Sequence, residues 1–403
     1  MSAPTLSEIV NKWGGLIQTG PFGSQLHQHD YSEQGTPVVM PKDICNGRVD
    51  ESGIARIPES KASQLSRHFL KTGSVVFPRR GEISKCAYIR EEQAGFLCGT
   101  GCIKIEPPEE KLRSKFLFYY LGLRQSVEWL ERNAVGTTML NLNTKILGGL
   151  KVPILPPESQ DKIVDILSAY DDLIENNRRR IQLLEQAARL LYKEWFVHLR
   201  FPGHEHTKII DGVPEGWVKK VLGDVCLEVR ETVSPSALEG NTPYIGLEHM
   251  PRRSITLCEW GQTEQVTSSK HRFREGEILF GKIRPYFHKV GIALTDGVAS
   301  SDAIIIRPAN PHLLALVLMT TSSDGFVAVT AQQMKEGSKM PRADWKQMQQ
   351  YPVPLPPDGL LSAFNDFIDS ILNHLKTLAF ANKRLSAARD LLLPKLMNGE
   401  VAV

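Results

Sequence analysis

PPESQDKIVDILSAYDDLIENNRRRIQLLEQAARLLYKEWFVHLR, residues 156–200, carries one apolar periodicity from end to end. After Pro156-Pro157, apolar side chains recur at Ile163, Leu167, Tyr170, Ile174, Ile181, Leu184, Ala188, Leu191 and Trp195, in steps of three and four with one gap at Asn177. Asp161, Asp165, Asp172, Arg178, Arg179, Glu185 and Lys193 fall on the other faces. This is a heptad seam, and it predicts a helix. About forty residues at ~1.5 Å each reach roughly 60 Å, too far for one small domain to cover the stripe. The helix therefore needs a partner.

The same chain supplies one. Phe364, Ile368, Ile371, Leu375, Leu378, Leu385, Leu392 and Leu396 repeat the spacing, again with a single asparagine, Asn382, in the stripe and with Arg389 as a second polar position. An antiparallel pairing that sets Asn177 against Asn382 brings every other stripe position onto another: Ile174 onto Leu385, Ile181 onto Leu378, Leu184 onto Leu375, Ala188 onto Ile371, Leu191 onto Ile368 and Trp195 onto Phe364. A shift by one heptad leaves each amide against hydrocarbon, at about 1–3 kcal/mol apiece. The asparagines are thus expected to choose the register. Pro394 is expected to end or kink the second helix.

At 403 residues the chain is long enough for two globular domains, and its 41% hydrophobic and 23% charged content are those of a folded, soluble protein. The N-terminal residues have no apolar core of signal-peptide length, and no run approaches the length that spans a bilayer, so a cytoplasmic protein without membrane contact is expected. The six cysteines are sparse and irregularly spaced, which argues against a disulfide framework, and Cys98 and Cys102 lack the second pair or histidines that zinc requires. His204 and His206 lie in a Gly/Pro-rich linker, with His198 just before it, and the three are read as linker histidines and not as a metal motif. A net charge of +3 is compatible with a nucleic-acid partner.

The chain also repeats itself with a period near two hundred residues. Gly35-Thr36-Pro37-Val38-Val39 returns as Gly240 to Ile245, His68 to Phe77 as His271 to Phe280, and Val135 to Met139 with Lys145 as Glu336 to Met340 with Lys346. Val152 to Pro157 returns as Pro352 to Pro357, and Ala187-Ala188-Arg189 as Ala387-Ala388-Arg389. The order is conserved between the halves, so each half is read as a globular domain followed by a long helix. The segments are 1–155, 156–200 (central long helix), 201–216 (linker), 217–355 and 356–403 (distal long helix). Thr36 to Met40, Ser74 to Phe77, Cys102 to Ile105, Glu277 to Phe280 and Ala303 to Ile306 read as strands, and Lys115 to Asn133 and Pro311 to Gly325 as helices. The Pro-rich runs at 152–157 and 352–357 read as stiff hinges. The fold class is α+β, with two similar mixed α/β domains joined by an antiparallel helix pair in a tandem duplication with pseudo-two-fold character.

No catalytic constellation is present. Both Pro-Pro pairs follow Leu and lack the Asn/Asp and aromatic of an amino-methyltransferase pocket, and there is no phosphate loop ending in Gly-Lys-Ser/Thr. What the chain offers is basic side chains on turns. Arg79, Arg80, Lys85 and Arg90 follow the strand ending at Phe77; Lys282, Arg284, His288 and Lys289 follow its counterpart ending at Phe280, with Lys270, Arg272 and Arg274 upstream. Any one of these reads as solvated surface, but matching clusters in duplicated domains point to phosphates or guanine edges. Gly136-Thr137-Thr138 and Gly337-Ser338-Lys339 are further candidates, because such turns present backbone and hydroxyl donors.

Two domains, each followed by Pro-Pro and a long helix, with Gly-Ser/Thr turns before the hinge and Leu392-Leu393-Pro394-Lys395-Leu396-Met397-Asn398-Gly399-Glu400 at the close, resemble the specificity subunit of type I restriction-modification enzymes. Gly20-Pro21-Phe22-Gly23-Ser24-Gln25-Leu26 and the hinge Pro156-Pro157-Glu158-Ser159-Gln160 carry the same resemblance; Pro356-Pro357-Asp358-Gly359-Leu360 departs from it by lacking the glutamine, and no second-half copy of the Gly20 loop is recognisable. The resemblance implies that each globular half is a target-recognition domain reading one part of an asymmetric bipartite site in double-stranded DNA. It implies that the helices act as a ruler, holding the readers about one turn, ~34 Å, apart on the duplex. It further implies docking of two methyltransferase subunits that carry S-adenosylmethionine and flip an adenine, and motor-nuclease subunits for cleavage, with no cofactor in this chain. A scaffold or decoy that binds methyltransferases without reading DNA, and a self-sufficient DNA methyltransferase, are the competing readings.

Overall fold

A computed structural model describes residues 3–136, 139–263, 268–332 and 341–401. The chain forms two units, Met1–Asp171 with Ser386–Val403, and Asp172–Leu385.

In the first unit an antiparallel sheet runs in the order Leu16–Thr19, Cys102–Glu106, Val75–Pro78, Ala87–Tyr88, beside a smaller sheet of Ala55–Ile57, Thr36–Val39 and Leu97–Cys98. The second unit repeats this order with Cys226–Val229, Ala303–Pro308, Ile278–Gly281 and Val290–Ala293, and adds the short strand Thr256–Leu257. Its smaller sheet repeats Gly261–Gln262, Pro243–Ile245 and Gly297–Ala299, and extends them by two strands. The parallel contact within the smaller sheet is shared as well: Val38 faces Leu97 in the first half and Tyr244 faces Val298 in the second. The repeat read from sequence is thus a repeat of topology, and the apolar runs chosen as strands are the buried central ones.

Both predicted mid-domain helices are broken. Ser114–Leu121 and Arg124–Asn133 replace one helix, and Leu314–Thr321 and Asp324–Gln332 replace the other. Ser323 explains the second break, since its Oγ accepts from the Phe326 amide at 3.1 Å and caps a new helix start. The hinges are pinned, not free. Pro352–Leu355 is a strand paired with Val218–Val221, and the Val152 amide donates to the Pro4 carbonyl at 2.9 Å. The 201–216 linker is likewise folded: Ile209–Ile210 and Val213–Pro214 form a hairpin turning at Asp211 and Gly212, both with positive φ, while Phe201 packs on Trp217 at 5.0 Å between ring centroids.

The long helices span Pro157–Tyr192, continued by a wide turn to Val197, and Asp358–Met397. Pro394 does not end the second one. It sits in the last turn, where its missing N–H forgoes a single bond, and burial of Leu396 and Met397 with Ile163 and Leu167 holds that turn in place. In the second unit the helices run antiparallel in the expected register: the Asn177 amide donates to Asn382 Oδ1 at 2.9 Å, and Trp195 lies 5.8 Å from Phe364 between ring centroids. The two asparagines are half-buried, so the penalty for mispairing them falls toward the low end of the range for an unsatisfied amide. In the first unit Arg389 finds Asp171 at 2.6 Å, and the same carboxylate accepts from the Tyr119 hydroxyl at 2.6 Å. Gln160 is fully buried; it accepts from the Arg113 amide and donates to the Lys111 and Leu155 carbonyls, tying the helix start to its domain. The second half lacks that glutamine, and Asn365, placed further along, donates to the His312 carbonyl at 2.7 Å.

Glu185 overturns the solvated face assigned to it. It is buried and accepts from Ser254 Oγ at 2.7 Å, the Ile255 and Thr256 amides at 3.0 Å each, and Thr256 Oγ1 at 2.6 Å. One turn on, Arg189 donates to the Arg253 carbonyl at 2.6 Å. The first long helix thereby grips the 253–256 segment of the second domain.

Candidate functional site

In the first unit, Leu16–Thr19 and Val75–Pro78 end where Cys102–Glu106 begins, because Thr19 and Phe77 both face Ile103. Four turns meet at this sheet end. The Arg79 amide donates to the Gly101 carbonyl at 2.6 Å, the Leu142 amide to the Arg79 carbonyl at 2.8 Å, and the Gly81 amide to the Leu140 carbonyl at 3.2 Å. Val135 and Asn141 exchange backbone bonds of 3.1 and 2.8 Å, which fixes the turn at Gly136. Gly136 has φ +116°, and a Cβ there would meet the Met139 carbonyl at 2.4 Å, so the turn requires glycine. The Gly20–Ser24 loop joins from the other side: its Gly20 amide donates to Cys102 O at 2.9 Å, and a Cβ on Gly20 would lie 1.9 Å from the Gly99 carbonyl.

Arg79, Arg80, Gly136 and the Gly20 loop, separate in sequence, therefore share one surface. Arg80 is exposed. Lys85 is paired with Glu82, and Arg90 with Glu92 at 3.7 Å. Thr137, Thr138, Ser338 and Lys339 lie outside the described residues, as does Gly337.

The second unit repeats the frame. The Lys282 amide donates to the Asp302 carbonyl at 2.7 Å, the Ala343 amide to the Lys282 carbonyl at 2.8 Å, and the Arg284 amide to the Pro341 carbonyl at 3.0 Å. Lys282 thus occupies the place of Arg79, and Arg284 that of Gly81. Both 81 and 284 are in the left-handed region, at φ +82° and +50°. Arg284 is exposed and lies 5.8 Å from the Phe287 ring, whose face is also covered by Arg252 at 4.0 Å, with Tyr286 exposed beside it. Lys289 turns inward: its ammonium donates to the Leu247 carbonyl, and burial, with Arg252 nearby, lowers its pKa. Lys270 is buried too, donating to Ser268 Oγ at 2.7 Å. His288, at φ +54°, is buried with Nε2 2.8 Å from the Ser322 carbonyl.

Sequence reasoning missed Arg252, Tyr286, Thr100 and Asn141. Thr100 and Asn141 fall opposite Ser301 and Arg342 in the repeated backbone frame. Among the described residues no group of His, Cys, Asp or Glu is arranged to hold a metal ion, and no single helix is long and apolar enough to cross a membrane.

The model of the type I restriction modification DNA specificity domain matches residues 30–186 and 214–377. The chain is 23% identical over 389 residues to the type I restriction enzyme MjaIX specificity subunit of Methanocaldococcus jannaschii, covering 91% of this chain and 87% of the relative. It is 24% identical over 325 residues to the EcoDI specificity subunit of Escherichia coli, covering 73% and 69%. Among solved structures, the type I restriction-modification S subunit from M. genitalium aligns over 98% of this chain and 95% of its own at a TM-score of 0.53 and 18% identity, which supports the fold. With both halves matched over most of their length, the chain belongs to the type I restriction-modification DNA specificity family.

Proposed function

We propose that this chain selects the DNA sequence on which a type I restriction-modification complex acts, each half reading one part of an asymmetric bipartite site. The observation that carries the reading is the repeated sheet end, with a basic residue at the same backbone-defined place in each half, Arg79 and Lys282. Basic side chains on turns reach phosphates, and the differing residues around them supply differing base readout. The chain itself makes and breaks no bonds. Methyl transfer from S-adenosylmethionine belongs to two methyltransferase subunits, and cleavage to motor-nuclease subunits. Leu183, Leu190 and Val197, seven residues apart and 64, 62 and 59% exposed, are a fitting apolar stripe for a methyltransferase to cover. The helix pair sets the spacing between half-sites.

The test is duplex affinity at several salt concentrations, measured on the complex with its methyltransferase partner. Phosphate neutralisation predicts a steep fall of log K with log salt; a flat dependence contradicts it. Charge reversal at Arg79, Arg80, Lys282 and Arg284 abolishes site methylation if the chain reads DNA and leaves it unchanged if the chain is only a scaffold.

A further inference from the structure

Buried polar side-chain atoms are nearly always hydrogen-bonded. Among the described residues the exceptions are Arg79 Nε, Thr100 Oγ1, Asn141 Oδ1, Ser168 Oγ and Asn365 Oδ1. The first three belong to one place. Thr100 precedes Gly101, whose carbonyl takes the Arg79 amide, and Asn141 precedes Leu142, whose amide binds the Arg79 carbonyl. A guanidinium donor, a hydroxyl and an amide acceptor without partners thus converge at the sheet end where the Gly20 loop and the Gly136 turn also lie.

We propose that Arg79, Thr100 and Asn141 contact a base edge in the first half-site, an assignment that rests on the DNA-reading function above. The mixture of groups selects the ligand. A phosphate presents only acceptors and leaves Asn141 Oδ1 unsatisfied, whereas a base edge in the major groove offers donors and acceptors together. Asparagine with both amide atoms engaged matches the N6 donor and N7 acceptor of adenine. The equivalent positions of the second half are built differently. Lys282, Ser301 and Arg342 stand in the same backbone frame, but Asp302 replaces Gly101 and pairs with Arg342 at 3.3 Å, while Lys282 Nζ donates to the Ser301 carbonyl at 3.3 Å. Lys282 and Arg342 are partnered internally, whereas Arg79 Nε, Thr100 Oγ1 and Asn141 Oδ1 are not, so the two domains read different bases through one scaffold.

The experiment sequences methylated DNA from cells carrying the chain, wild type or variant, with its methyltransferase partner, and measures the melting temperature of each purified complex. Asn141→Ala is expected to relax one base position of one half-site by about tenfold while leaving the other half-site unchanged. Thr100→Val is expected to weaken cognate binding with the melting temperature unchanged or raised, because no internal bond is lost. Unchanged motif and affinity in both variants overturn the proposal, as does a lowered melting temperature with an unchanged motif, which would mark internal structural roles. Should Asn141→Ala not assemble, the isosteric Asn141→Asp decides: an altered base preference supports the assignment and an unaltered one overturns it. A wild-type complex without any sequence preference overturns the DNA-reading function and this assignment together, whereas unchanged variants overturn this assignment alone.

Discussion

Arg284 holds a backbone conformation that its counterpart Gly81 adopts without cost, and a left-handed non-glycine residue is about 1–2 kcal/mol less stable than in its preferred region. Strain of this kind persists where a side chain is needed, and here it keeps a guanidinium exposed beside Phe287 and Arg252. Arg284→Gly is therefore expected to stabilise the protein by about 1 kcal/mol in denaturant unfolding while weakening DNA affinity; a loss of stability with unchanged affinity contradicts this. His288, four residues on, behaves as a pH-sensitive group. Burial, with Arg253 and Arg189 adding to it, lowers its pKa below 6.5 against the opposing Ser322 carbonyl and Asp324. The unfolded chain then binds the extra proton first, so the stability His288 contributes is complete above pH ~6.5 and is lost as pH falls through the folded value. Melting temperature is expected to drop between pH 7 and pH 5 for this reason, and His288→Asn, which tolerates the same positive φ, to flatten that slope.

At the scale of elements, the paired amides make a double-mutant cycle the natural probe of register. Asn177→Leu leaves the half-buried Asn382 amide facing hydrocarbon and is expected to cost about 1 kcal/mol, while adding Asn382→Leu recovers most of it; additive losses contradict the pairing. The seam was legible in the sequence because a period of three and four is written by apolar residues, and its two asparagines could be matched to each other. Glu185 was not legible, since a carboxylate on a helix flank reads as solvated until the 253–256 segment is seen to bring it two amides and two hydroxyls. Glu185→Ala strands those four donors at an expected cost of about 2–4 kcal/mol, and amide exchange at Ile255 and Thr256 is expected to speed up; unchanged exchange contradicts the clamp. The broken helix at Ser322-Ser323 was missed for a related reason: a serine cap inside an apolar run carries no change of period. Of the site, the basic residues after Phe77 and Phe280 were legible from the repeat. Thr100 and Asn141 were not, because an orphaned hydroxyl or amide is visible only once its surroundings are folded.

At the scale of the molecule, a duplicated chain has kept its strand order and its turn-to-turn hydrogen bonds in both halves, while changing the side chains that those turns present. Arg79, Thr100, Asn141 and Gly81 became Lys282, Ser301, Arg342 and Arg284. Two copies of one scaffold with unlike surfaces are what reading an asymmetric site requires. Methylome sequencing of cells carrying this chain with its methyltransferase partner tests that claim most directly. The account predicts one motif made of two unlike blocks separated by a fixed unread spacer; a single continuous motif, two identical blocks, or no motif at all would contradict it.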